Sequence, residues 1–309
     1  MIKARVYKST GSRYSVKTDA GMFMQVRLKG RLKIEGSTST NPVAVGDWVM
    51  LENTEDPENT MIVDILPRYN YINRVSPHSR FQHHIVAANL DQTILFATLK
   101  DPKTSDGFVD RFLVTAEAYH VPAILVINKI DLLKKKEAEK LAEWKQRYGD
   151  IGYSVVTMSI QTSEGVQELI HLLKDKISLL SGHSGVGKST FINRLFPDLQ
   201  LRTKEVSEWS GKGLHTTTFA EMFDLPDGGH IIDTPGIREM GLVDMRPEEL
   251  SHYFPEMRNL LKACKFNNCM HIHEPDCAIK NAVASNGISI ERYGSYLNIL
   301  GSLPKEDYS

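Results

Sequence analysis

The chain has 309 residues, with 37 Lys and Arg against 38 Asp and Glu and a net charge of −1, so it has room for two or three domains and the charge balance alone names no partner. No apolar run approaches the roughly 18 residues of a membrane span, and Met1-Ile-Lys-Ala-Arg lacks the apolar core of a signal peptide. Only three cysteines occur, all between 264 and 277, which argues against a disulfide framework and makes the cytoplasm the expected location.

The charge is unevenly spread. Lys3, Arg5, Lys8, Arg13, Lys17, Arg27, Lys29, Arg31 and Lys33 are nine bases against one acid, Asp19, over the same stretch. Polar and apolar residues alternate over Ala4–Lys8, Arg13–Lys17 and Met22–Leu28, and Asp47–Leu51 and Met61–Leu66 supply two more strands. Five short strands with basic outer positions predict an OB-type barrel, a fold that often grips nucleic acid; a merely solvated β face is the competing reading. Asn53–Thr60 reads as a polar hairpin loop. Residues 67–77 read as a linker, followed by His78-Ser-Arg-Phe-Gln-His-His84, whose histidines have no cysteine or carboxylate company and so read as solvated or RNA-facing rather than metal-binding.

An α/β pattern follows. Gln92–Thr98 is the first predicted strand, Asp101–Gly107 a surface loop and Phe108–His120 a helix. The apolar run Val121–Ile127 leads into Asn128-Lys129-Ile130-Asp131, placing this tetrapeptide at the C-terminal end of a strand, where open α/β sheets bind ligands. A carboxylate there can accept from both N1–H and N2–H₂ of guanine, a donor pair that adenine lacks. A charged helix is predicted near Glu137–Arg147, and Ser159-Ile-Gln-Thr162 is a candidate loop backing the base. Helix Glu164–Lys174 then runs almost directly into the buried strand Ile177–Ser181.

Gly182-His183-Ser184-Gly185-Val186-Gly187-Lys188-Ser189 has the G-x-x-x-x-G-K-S form of a phosphate loop. Its backbone N–H groups form an anion nest, and the helix predicted over Thr190–Phe196 adds its positive end. Lys188 is expected to reach the β- and γ-phosphates, and the Ser189 hydroxyl to ligate Mg²⁺. Ser210-Gly-Lys-Gly-Leu-His215-Thr-Thr-Thr218 offers three hydroxyls; one of Thr216, Thr217 or Thr218 is expected on the metal, with Thr217 the nominal choice. Gly229-His-Ile-Ile-Asp233-Thr-Pro-Gly236 closes the set: Asp233 is placed to hold Mg²⁺ through water, and Gly236 frees a backbone N–H for the γ-phosphate. Together these motifs predict a GTP site with Mg²⁺. Position 237, where many GTPases carry a water-orienting glutamine, is Ile237, so His215 is the local candidate for that role.

The order of the motifs is unusual. Ordinary small GTPases run phosphate loop, switch threonine, D-x-x-G, then N-K-x-D; here N-K-x-D comes first. On these motifs and this order the chain resembles the circularly permuted GTPases of the ribosome small-subunit-dependent GTPase A family, over nearly its full length. The resemblance implies an N-terminal OB-type barrel (1–68), a permuted α/β P-loop GTPase domain (69–241) and a C-terminal zinc-binding segment (242–309). It also implies GTP hydrolysis in maturation of the small ribosomal subunit, rRNA contact through barrel and zinc segment, stimulation by the subunit, and a histidine at the place of His215. A monomer with no membrane partner is expected. Two other readings stay open: an RNA-binding module with GTP as a structural ligand, and a GTPase serving other partners.

The C-terminal segment carries Cys264-x4-Cys269-x-His271-x5-Cys277, the donor set of a closed structural Zn²⁺ site in a segment too small to hold itself otherwise. His273 competes as the fourth ligand, and the resemblance favours His271. Short helices are predicted over Arg258–Ala263 and Ile288–Leu300, and a frayed tail over Pro304–Ser309. Because the chain passes from Gly236 directly into this segment, movement at Ile237–Leu242 is expected to pull on it.

Overall fold

The computed structural model describes residues 1–30, 42–52, 59–76, 79–197, 220–234 and 245–303, the side chains of 74–76 and 79–83 excepted. Five strands build the N-terminal unit: β1 (Ile2–Ser9), β2 (Tyr14–Thr18), β3 (Phe23–Leu28), β4 (Trp48–Leu51) and β5 (Met61–Ile65). They pair in the order β1-β2-β3-β5-β4, and β4 returns to β1, which closes a barrel and removes free edges. Alternation does the work expected of it: Ala4, Val6, Tyr14, Val16, Val26, Val49, Leu51 and Ile62 all turn inward and pack as one core.

The stretch read as a linker, 67–77, contains a strand. Strands β6 (Tyr71–Ser76) and β7 (Ser79–Ala88) pair as an antiparallel hairpin. The prolines at the ends of that stretch had suggested a linker, but Ile72, Val86, Ala87 and Ala88 are buried, and that burial favours the extended pairing.

The central sheet comprises β8 (Gln92–Thr98), β9 (Ala123–Asn128), β10 (Ser154–Thr157), β11 (Ile177–Ser181), β12 (Glu221–Asp224) and β13 (His230–Asp233), in the order β10-β9-β8-β11-β13-β12. All neighbours are parallel except β12, which runs antiparallel to β13. Parallel strands covered on both faces are continuous apolar runs, and β8 and β11 are buried along their whole length. Helices α1 (Asp106–Ala118) and α2 (Lys135–Asp150) cover one face through Val109, Phe112, Leu113, Trp144 and Tyr148. Helices α3 (Val166–Leu173) and α4 (Lys188–Leu195) cover the other through Val166, Leu169, Leu173, Phe191 and Ile192. Strand β12 was not foreseen, because four residues with one buried side chain carry little periodic signal.

Through β12 the barrel and the central sheet become one: Lys8 of β1 registers with Glu221. The junction is polar. The Tyr7 hydroxyl donates to Asp224 at 2.5 Å, Lys17 donates to the same carboxylate, His230 Nδ1 lies 2.9 Å from it, and Lys8 bridges to Glu221 at 2.7 Å. Two bases that the sequence had assigned to the outer barrel face therefore point at the neighbouring sheet. A third, Lys29, bridges to Glu52 at 2.7 Å.

The C-terminal unit contains α5 (Pro255–Arg258), α6 (Ala278–Ala284) and α7 (Ile290–Ser302). The helix expected over 258–263 is instead the end of α5 and a single 3-10 turn, Leu261–Ala263. Leu250, Phe254, Met257, Ile279, Tyr296 and Ile299 form the core here, and Val114 of α1 joins them. No helix among the described residues is long and apolar enough to cross a membrane.

Candidate nucleotide site and metal centre

The phosphate loop hangs from the buried end of β11 and runs into α4. Its glycines are required by space: at Gly182 (φ +135°) a Cβ would sit 2.3 Å from the Phe96 carbonyl, and at Gly187 (φ +104°) it would sit 2.2 Å from Asn128 Nδ2. Val186 between them is fully buried, which pins the loop while Ser184, Gly185 and Thr190 face solvent. Helix α4 opens at Lys188 without a side-chain cap, so its first N–H groups and positive end face the loop's concavity. Lys188 donates to the carbonyls of Gly182 and, at 2.8 Å, His183. Burial lowers its pKa to about 8, opposed by the nearby Asp233 carboxylate. Asp233, at the end of β13, is itself pushed up by burial, with Lys188 and the Thr234 backbone N–H pulling the other way. Half-buried Ser189 is the next residue of α4.

The N-K-x-D loop meets this site directly. Parallel pairing puts Asn128 opposite Thr98 at the C-terminal end of β9. The buried Asn128 amide donates to the Val186 carbonyl at 2.8 Å, tying the two motifs together. Lys129 takes a left-handed turn (φ 63°) and donates to the Asp101 carbonyl at 2.5 Å. Ile130 opens a 3-10 turn that carries Asp131, and Ser159 Oγ donates to Asp131 Oδ1 at 2.5 Å. The Thr162 N–H donates back to Ser159 Oγ at 3.2 Å. The loop 159–162 thus stands against the 128–131 loop, and Ser159 orients the carboxylate. That bond was not legible in the sequence, where Ser159 was only one polar residue of a short loop. Nor was the stack of Phe108 on His183, with ring centres 3.6 Å apart.

His215, Thr216, Thr217, Thr218, Gly236 and Ile237 lie outside the described residues. A cavity of about 410 Å³ opens away from both motifs, at the barrel junction between Tyr7, Phe23, Phe196 and Phe223; it contains none of the phosphate-loop or N-K-x-D residues, and nucleotide chemistry belongs with those loops.

The second centre is in the C-terminal unit. The donor atoms of Cys264, Cys269, His271 and Cys277 all lie within 4.8 Å of one another. His271 Nδ1 is 3.7 Å from Cys264 Sγ and 3.4 Å from Cys277 Sγ. Those separations match the edges of a tetrahedron around Zn²⁺ with Zn–S near 2.3 Å and Zn–N near 2.0 Å, so the residues fit the ion. His271 is buried with its Nδ1 among the cysteine sulfurs, whereas His273 is exposed. Burial pushes the Cys269 thiol up to about 12, reinforced by the neighbouring Cys277; a dication held there would reverse that bias by favouring thiolates. The ligand loop is held from outside. Glu274 accepts from the N–H groups of Met270, Ile272 and His273 at 2.7, 2.9 and 3.1 Å. The hydroxyls of Tyr293 and Tyr296 donate to the carbonyls of His271 and Met270 at 2.6 and 2.9 Å.

The family model described as "RsgA GTPase" matches residues 65–243, and "RsgA N-terminal domain" matches residues 3–62. The chain is similar to the small ribosomal subunit biogenesis GTPase RsgA of Flavobacterium psychrophilum, 49% identical over 297 residues that cover 96% of this chain and 91% of the relative. The protein of the same name from Flavobacterium johnsoniae is 50% identical over the same coverage. Among solved structures, YjeQ from Thermotoga maritima superposes with a TM-score of 0.78 at 32% identity, covering 98% of each chain. YloQ, described as a circularly permuted GTPase, gives 0.75 at 26% identity, covering 99% of this chain and 97% of that one.

Proposed function

The chain belongs to the RsgA GTPase family, and from that premise we propose that it hydrolyses GTP in the cytoplasm as a late assembly factor of the small ribosomal subunit. The observation that carries the nucleotide reading is the bond from Asn128 to the Val186 carbonyl, 2.8 Å long. It joins a phosphate cradle to a loop built to read guanine, although the two motifs are more than fifty residues apart and in permuted order.

In this reading the phosphate-loop N–H groups and the start of α4 bind the β- and γ-phosphates, and Lys188 turns from the loop carbonyls to the same oxygens. Ser189, Asp233 and Thr217 would hold Mg²⁺, which offsets phosphate charge as the bond to the γ-phosphoryl group breaks. Asn128, Lys129, Ile130 and Asp131 shape the base pocket, with Asp131 accepting from guanine and Ser159 keeping its carboxylate turned. Gly236 reports the γ-phosphate. His215 positions the attacking water, because Ile237 can neither donate nor accept. A site without the usual glutamine hydrolyses slowly until a partner orders it, so we place the stimulus on the small subunit.

We assign the rRNA contact to the barrel and the C-terminal unit. Supporting the first, Lys3 and Arg5 range over the Trp48 ring at 4.1 and 4.2 Å, a cation–aromatic surface of the kind that grips bases and phosphates; Arg13 and Arg27 are further exposed bases of the barrel. In the second, one structural Zn²⁺ on Cys264, Cys269, His271 and Cys277 holds the loop that would face RNA. The protein acts as a monomer, with domain limits near 68 and 241. The test is GTP turnover by the full-length protein with and without purified small subunits. A rate unchanged by small subunits at saturating concentration removes the assembly-factor reading, and no turnover in either condition removes the enzyme.

A further inference from the structure

Helix α1 touches both the phosphate loop and the C-terminal unit. At its start, Ser105 caps the helix by accepting from the Phe108 N–H, and the Phe108 ring lies on the His183 imidazole with centres 3.6 Å apart and planes 30° from parallel. His183 is the second residue of the phosphate loop. Just upstream, the Asp101 carbonyl receives the Lys129 amine at 2.5 Å, so the segment entering α1 also braces the base loop.

The same helix carries the C-terminal unit. Asp110, two residues beyond Phe108, is buried and accepts from Arg292 of α7 at 2.9 Å and from the Tyr148 hydroxyl at 2.9 Å. Arg292 is 1% exposed, is held from its other side by Glu256 at 2.7 and 3.2 Å, and lies over the Phe254 ring at 4.6 Å. Farther along, Arg111 donates to Ser302, Val114 packs in the C-terminal core, and Glu117 accepts from Arg258. A buried guanidinium bonded on two sides cannot slide without leaving charges unpaired, so α7 follows any shift of α1. An α-helix is stiff along its axis, and little more than half a turn separates Phe108, in the phosphate-loop stack, from Asp110, in the buried ion cluster.

We propose that Phe108 is a positioning residue for the phosphate loop, acting through His183, and that α1 thereby couples nucleotide binding to the C-terminal Cys/His unit. The proposal rests on the nucleotide reading above. Its route is distinct from the one suggested by chain order, through Gly236 and Ile237–Leu242. The stack holds the loop's second residue in place before phosphate arrives, which lowers the ordering cost of binding. Because coupling between sites is reciprocal, nucleotide must tighten α1 against α7 as much as α7 braces the loop.

The test uses the full-length zinc-loaded protein. Binding of a fluorescent GDP analogue is titrated for the wild type, Phe108→Leu, Phe108→Tyr, His183→Ala and the Phe108→Leu/His183→Ala double variant. Amide hydrogen exchange in α6 and α7 is followed with and without GDP. An aromatic stack is worth little beyond its burial, so Phe108→Leu should weaken GDP about three- to tenfold, with Phe108→Tyr near wild type. The double variant should be no weaker than the weaker single one, since both remove one contact. GDP should slow exchange in α6 and α7 of the wild type, and that slowing should vanish in Phe108→Leu. If the wild type binds no guanine nucleotide, the nucleotide reading itself falls. If it binds while Phe108→Leu binds equally well, or the two single effects simply add, or GDP leaves α6–α7 exchange unchanged, the nucleotide reading stands and the role of Phe108 and α1 is overturned.

Discussion

Asn128→Ala isolates the link between the two nucleotide motifs. The wild-type amide donates to the Val186 carbonyl at 2.8 Å from a side chain only 2% exposed. Truncation deletes the donor and leaves a buried loop carbonyl without that partner, which costs about 1–3 kcal/mol. The phosphate loop and its donors are otherwise intact, so the cost should appear mainly as disorder of the Gly185–Gly187 turn that binding has to reverse. With each tenfold in affinity worth about 1.4 kcal/mol, GTP and GDP should both weaken by roughly 5- to 150-fold. Preference for guanine should change little, because in the proposed pocket Asp131 supplies the acceptor for the guanine edge and Asn128 mainly joins the two loops. Asn128→Asp should be worse than Ala, since it sets a carboxylate oxygen against the Val186 carbonyl beside a phosphate site. Isothermal titration of both variants with GDP, GTP and xanthosine diphosphate measures this. Wild-type affinity in Asn128→Ala, or a changed base preference without loss of affinity, refutes the assignment of this bond.

Asp131→Asn should do the reverse, weakening GTP and relaxing preference toward xanthosine triphosphate; competition binding shows it, and unchanged guanine selectivity would mean Asp131 does not read the base. Cys269→Ser should lose the zinc, close to one ion per chain in the intact protein, and expose residues beyond about 250 to protease, while the phosphate loop still binds nucleotide. Metal analysis with limited proteolysis decides it, and a zinc-free protein protected there defeats the metal reading. Charge reversal at Arg13 and Arg27 should weaken sedimentation with small subunits and flatten its salt dependence, because fewer counterions are released; equal binding at two salt concentrations leaves the barrel surface merely solvated. His215→Ala should reduce subunit-stimulated kcat about 10²–10⁴-fold with nucleotide affinity retained. Single-turnover assays test that, and a wild-type stimulated rate gives the water to another group.

The chemical class was legible along the chain. G-x-x-x-x-G-K-S, N-K-x-D, D-x-x-G and the clustered cysteines point to nucleotide and metal through spacing along a few residues, because backbone N–H nests, short loops after strands and tetrahedral ligand sets are local constructions. All five barrel strands were likewise predicted, three of them from alternation, since a half-buried strand has a period of two. The tertiary structure decided everything that depends on a partner distant in sequence. Spacing alone left His271 and His273 as rivals; folding buries His271, whose carbonyl accepts from Tyr293, and leaves His273 exposed. Only folding makes Glu221–Asp224 a strand, because its hydrogen bonds come from β13 and β1. Lys8 and Lys17 looked like part of a basic RNA face until β12 placed Glu221 and Asp224 beside them. The bonds Asn128–Val186 and Ser159–Asp131 and the Phe108–His183 stack belong to the same class. A motif states which atoms a ligand will meet; the neighbours that hold those atoms still arrive from other parts of the chain, and no periodicity along the sequence encodes that meeting.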